Sequence, residues 1–92
     1  MKDYRSLEAA ARHTKTTEAT LIEFGRVGWI EVVSKAGCDY ISSQDEYRCH
    51  FILHLRRKLE LSDKQIGIVL AQAKAPYSPE QVVQILGEHW PR

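Results

Sequence analysis

Apolar positions recur along the chain in runs that change period several times. Leu7, Ala10 and Ala11 are spaced by three and four, which predicts a helix over residues 6–13 with Ser6 as N-cap and Glu8 in its first turn. Thr14-Lys15-Thr16 is a three-residue connection. Thr16 or Thr17 then caps a second helix over 17–27, with Leu21, Phe24 and Val27 as its buried stripe and Gly28 as its stop. Two short helices joined this closely form a helix-turn-helix pattern. The period then becomes two. Ile30-Glu31-Val32-Val33 and Cys38-Asp39-Tyr40-Ile41 flank the turn signal Ser34-Lys35-Ala36-Gly37, which predicts a short β-hairpin wing.

Helical spacing resumes after the hairpin. Ser43 with Glu46 three residues later reads as a capping box opening a long helix to about Leu59. Its stripe is Tyr47, Phe51, Leu55 and Leu59, with Ile52 beside them. Ser62 with Gln65 is a second box, and the helix it opens carries Ile66, Val69, Leu70 and Ala73. Ala75-Pro76-Tyr77 breaks that helix. Pro79 sits at the tolerated first position of a final short helix with Val82, Val83, Ile85 and Leu86 on its apolar side. Gly87 ends it, and His89-Trp90-Pro91-Arg92 is read as a loosely held tail. The expected fold is mainly α: about five helices with a short β-hairpin wing, divided into a winged helix-turn-helix domain (1–77) and a short C-terminal helix with its tail (78–92).

Composition narrows the class. Ninety-two residues suffice for one modest core, and 43% hydrophobic with 27% charged residues is globular and not disordered. No apolar run approaches the roughly 20 residues of a membrane span. The polar N-terminus is unlike a secretory leader, so the expected location is cytoplasmic. The net charge of +1 neither demands nor excludes a nucleic-acid partner. The one tight basic cluster, Arg56-Arg57-Lys58, lies at the end of the long helix. There it serves as ordinary helix-end charge or as a patch for an anionic partner.

Little in the chain points to chemistry. Cys38 and Cys49 are too few for a disulfide scaffold and are expected as free thiols. His50 and His54 are four apart, but no close Cys or Cys/His pair accompanies them, so no metal is expected. Asp45 and Glu46 are neighbours that point about 100° apart on a helix. There is no phosphate-cradling glycine loop. Neither catalysis nor a cofactor is expected.

The segment Leu7–Ile30 resembles the DNA-binding domain of the MerR family. Ala10-Ala11 matches its first-helix alanine and Thr14 its turn threonine. Thr20-Leu21 matches the start of its recognition motif, Phe24 its aromatic, and Gly28-Trp29-Ile30 its Gly-Leu-Leu. Arg56 to Ser62, continued to Ile66, resembles its third and fourth helices, and the likeness covers residues 4–74. As a DNA-binding regulator the chain would use Lys15, Thr16, Thr17 and Thr20 in the groove, with Lys35, Arg56, Arg57 and Lys58 on the backbone.

The departures from that pattern point elsewhere. Ile22 stands where such proteins have arginine, and Glu23 where they have tyrosine. Cys38, Asp39 and Tyr40 replace the tyrosine-arginine pair of the wing. Residues 16–31 hold Glu18, Glu23 and Glu31 against Arg26 alone, which is unsuited to polyanionic phosphates. Trp29-Ile30-Glu31, the altered wing and Leu59-Glu60-Leu61 resemble the CbpM-type chaperone modulators, which keep the MerR-like fold. That resemblance implies a protein partner, the J-domain of a DnaJ-like co-chaperone. J-domains present a basic helix, which Glu18, Glu23, Arg26, Trp29 and Glu31 would meet. The segment after Pro79 is shorter than the long final helix of that branch. A homodimer through the C-terminal helix is a further partner the pattern allows.

Overall fold

A computed structural model of the chain describes residues 3–87. Among them are five helices and one three-stranded antiparallel sheet. The chain divides into two compact units, Met1–His50 and Phe51–Arg92.

The first unit opens with β1 (Tyr4–Ser6) and α1 (Leu7–Thr14). Ser6 caps α1 as expected, its Oγ accepting the Ala9 N–H at 3.1 Å. Leu7, Ala10, Ala11 and Thr14 are buried. The buried Thr14 hydroxyl is satisfied by donating to the Ala10 carbonyl at 2.8 Å. The turn after α1 is a Schellman motif: Thr16 N–H reaches the Ala11 carbonyl and Lys15 N–H the Arg12 carbonyl. Lys15 holds the left-handed position of that motif, with φ 59°.

Thr17, not Thr16, caps α2 (Glu18–Arg26), accepting the Thr20 N–H at 3.1 Å. Leu21 and Phe24 are fully buried, but Val27, expected beside them, is 50% exposed. A second Schellman motif explains the difference. Gly28 turns the chain at φ 86° and Trp29 N–H returns to the Phe24 carbonyl at 2.9 Å. The Trp29 ring then covers Phe24, with ring centroids 5.6 Å apart, where the periodicity had placed Val27.

The hairpin is tighter than its sequence suggests. β2 (Val33–Lys35) starts three residues later than expected, and β3 (Cys38–Ser42) follows a two-residue turn, Ala36-Gly37. Both turn residues have positive φ, 54° and 80°, as a type I′ hairpin turn requires. Ser34 and Lys35 therefore pair with Asp39 and Cys38 instead of forming the turn. Ile30 is buried. β1 joins the other edge of β3, giving the order β1-β3-β2. Three residues exposed throughout carry no hydrophobic alternation, so no pattern announced this strand.

Helix α3 (Ser43–Arg57) begins in the first unit and ends in the second. The expected Ser43–Glu46 capping box does not form. Ser42 Oγ accepts the Asp45 N–H at 3.1 Å, and Glu46 is drawn into an ion pair with Arg5 and a hydrogen bond with His13. The expected stripe also fails at its ends: Tyr47 is 48% exposed and Leu59 lies past the helix, half-buried. Residues taken every fourth position drift by about 40° per step, so a stripe from 47 to 59 cannot stay on one face. Phe51, Ile52, Leu53 and Leu55 are the buried residues of its second half.

In the second unit Ser62 and Gln65 form the expected reciprocal box at the start of α4 (Asp63–Gln72). Ile66, Val69, Leu70 and Ala73 are buried. The Gln81 side chain ties α5 (Pro79–Leu86) to the preceding loop. It accepts the Lys74 N–H and donates to the Lys74 and Pro76 carbonyls at 2.7–2.9 Å. Val82 and Leu86 are buried, whereas Val83 is exposed and Ile85 half-buried, so the apolar side of α5 is narrower than expected. Phe51 and Tyr77 stack with centroids 4.7 Å apart. The tail residues His89–Arg92 lie outside the described residues. No described helix is long and apolar enough to cross a membrane.

Candidate functional site

The outward face of α2 follows from its caps. With Leu21 and Phe24 turned inward, a rotation of about 100° per residue puts Ala19, Ile22, Glu23 and Arg26 on the opposite side, with Glu18 at its flank. All five are exposed. Ile22 is 41% exposed, and Val27 extends the apolar surface at the end of the helix. The cation of this face, Arg26, sits 3.2 Å from Glu23. The helix therefore presents aliphatic surface flanked by carboxylates.

Beside Ile22 runs an open groove of about 340 Å³, lined by Ile22, Gly25, Arg26, Val32, Ser34 and Asp39. Gly25 makes the close approach possible. A Cβ there would stand 2.9 Å from Val32 Cγ2.

Trp29 and Glu31 follow the Schellman turn and are held by α3. Arg48 Nε donates to the Trp29 carbonyl at 2.6 Å, and Asp45 Oδ2 accepts the Glu31 N–H at 3.0 Å. The Trp29 side chain is half-buried on Phe24, and the Glu31 side chain is exposed. Arg48 and Asp45 thus position this segment, and sequence reasoning missed both. They act across 19 and 14 residues, and no local spacing marks such a pair.

The residues expected to meet DNA are distributed differently. Thr17 and Thr20 hydroxyls lie 2.9 Å apart and serve the α2 cap. Thr16 is half-buried, while Lys15 and Lys35 are exposed. Arg56, Arg57 and Lys58 belong to the second unit. There Arg56 pairs with Asp63 at 2.9 Å, and Arg57 and Lys58 are exposed.

Another unexpected residue is Glu46. It is buried, with Arg5 Nε 3.0 Å from one carboxylate oxygen and His13 Nδ1 3.0 Å from the other. It joins β1, α1 and α3, which makes it a structural node. Nearby, burial pushes the Cys49 thiol up to about 12, reinforced by the Asp45 and Glu46 carboxylates and opposed by Arg48. Such a thiol stays protonated and unreactive at neutral pH. Cys38, His50 and His54 are exposed. Among the described residues no group of three or more His, Cys, Asp or Glu side chains is arranged to hold a metal.

Comparison with known proteins gave no match: no family model, curated protein or solved structure is significantly similar to the chain.

Proposed function

We propose that this chain is a non-enzymatic protein-interaction module of the MerR-like winged helix-turn-helix kind, similar to the CbpM-type modulators. In this reading it acts in the cytoplasm, and its α2 face binds the J-domain of a DnaJ-like co-chaperone. One observation carries the reading. The helix that would enter a DNA groove exposes Ile22, Val27, Glu18 and Glu23, and its cation Arg26 is paired with Glu23. Carboxylates beside phosphates repel, whereas the same carboxylates around an aliphatic centre complement a basic helix. Trp29, braced by Phe24 and Arg48, supplies a rigid edge to that surface.

Titration with the cognate J-domain, followed by NMR or calorimetry, tests this. Binding at micromolar concentration is expected, weakened about tenfold by Glu18→Lys with Glu23→Lys, a charge effect on the order of 1–2 kcal/mol. Absence of binding at tens of micromolar overturns the reading. A salt-sensitive shift of duplex DNA by the unaltered chain would instead favour the regulator alternative, in which Lys15 and Lys35 contact phosphates.

A further inference from the structure

Strand alternation sends the two sides of the hairpin into different surroundings. Ser34 and Asp39 line the groove beside α2, and Ile41 enters the core. The alternate residues Val33, Lys35 and Tyr40, with Tyr4 and Ala36, line a second open cavity of about 560 Å³ on the other side of the sheet. That volume falls in the range of roughly 300–1,000 Å³ typical of small-ligand sites. Its walls are two phenol rings, two aliphatic side chains and one ammonium group.

These groups are unspent. Among the described residues the side chains of Tyr4, Tyr40 and Lys35 make no hydrogen bond, ion pair or ring contact, and Tyr4 is 50% exposed. The register pairs Tyr4 with Ser42 and Ser6 with Tyr40, so the two tyrosines are diagonal neighbours on one face of adjacent strands. Such neighbours stand roughly 7–8 Å apart, close enough for one flat ring to touch both. Lys35 lies on the same face, since Val33 pairs with Tyr40 and Lys35 with Cys38. The acid of the hairpin, Asp39, lies on the opposite face. The cavity thus combines aromatic surface with uncompensated positive charge.

We propose that the outer face of this sheet binds a nucleobase carrying a phosphate. The base stacks on Tyr4 and Tyr40, and the phosphate meets Lys35. Aromatic side chains on an open sheet accept any base by its face. Lys35 selects against the uncharged nucleoside. A duplex hides the base faces, so this site is distinct from groove binding, and it is independent of the α2 surface. A free mononucleotide and a single strand present the same chemistry.

The test is an NMR titration of the full chain with adenosine monophosphate, adenosine, inorganic phosphate and a short oligodeoxyadenylate. Adenosine monophosphate is expected to shift the amides of Tyr4, Val33, Lys35 and Tyr40, and to bind more tightly than adenosine or phosphate. Tyr4→Leu weakens it about tenfold while Tyr4→Phe retains it. Lys35→Gln, on an exposed strand end next to the turn, brings it down to the level of adenosine. An oligonucleotide that binds more tightly than the mononucleotide identifies single strands as the source of the base; equal affinity identifies the free nucleotide. No shift at these amides at millimolar ligand overturns the proposal, as does binding that survives both Tyr4→Leu and Lys35→Gln.

Discussion

The two units hold their helices by different means. In the second, the contacts of Ser62, Gln81 and Asp63 are local. Ser62 and Gln65 are three residues apart, Gln81 reaches Pro76 and Lys74 five and seven residues back, and Arg56 meets Asp63 seven residues on. In the first, the contacts that lock the elements span 14 residues from Glu31 to Asp45, 19 from Trp29 to Arg48 and 33 from His13 to Glu46. One unit is built from caps and apolar helix faces. The other adds a polar lattice around the start of α3, and the two surfaces proposed for binding lie in that unit.

Substitutions can break or sharpen this contrast. The largest effect is expected from Ile66→Ala in the second unit. Ile66 is fully buried, and the cavity left costs about 3 kcal/mol, measurable as a lower denaturant midpoint. Next is Glu46→Ala in the first. It removes an ion pair with Arg5 and a hydrogen bond with His13, but Arg5 and His13 are exposed enough to hydrate when released, so the expected loss is about 2 kcal/mol. A loss below about 0.5 kcal/mol would reduce Glu46 to a surface charge and dissolve the contrast.

The two serines that the sequence marks as caps separate more finely. Ser62→Ala is expected to cost about 1 kcal/mol, because it removes a formed capping box. Ser43→Ala is expected to change stability by less than about 0.5 kcal/mol, because Ser42 accepts the bond at that helix start. Equal costs for both would contradict the assignment of the α3 cap.

The thiols probe the contrast without any substitution. A thiol reagent at neutral pH should label Cys38 promptly and Cys49 only in denaturant, as a stoichiometry of one rising to two. Cys49 is raised from 9.0 to about 12 in the folded chain. Its contribution is therefore complete below pH 9 and lost as pH rises through about 12, so the first unit should weaken over that interval. Labelling of both thiols without denaturant would show that the first unit opens readily.

Most elements were legible because their signals are local. Ser6, the Thr16-Thr17 pair and the Ser62–Gln65 pair mark helix starts, Gly28 marks a stop, and Leu21, Phe24, Ile66, Val69 and Leu70 mark buried faces. The misplacements share one cause. Val27, Tyr47, Val83 and Leu59 satisfied a helical spacing, but spacing alone does not say which edge of a stripe meets a neighbour. The first strand was silent because three exposed residues have no period. At the candidate site, the acidic character of α2 was visible in Glu18 and Glu23. The pairing of Arg26 with Glu23 and the bracing of Trp29 by Arg48 were not.

By itself the sequence determined the caps at Ser6 and Ser62, the presence of a hairpin and the excess of carboxylates on α2, since each depends on residues within a turn or two of one another. Only the tertiary structure decided that Trp29 replaces Val27 over Phe24, that Glu46 leaves its expected cap for Arg5 and His13, and that Tyr4 joins Tyr40 beside Lys35. Those outcomes are set by which distant groups can satisfy a buried charge or cover an apolar ring. That competition is resolved only when the elements pack.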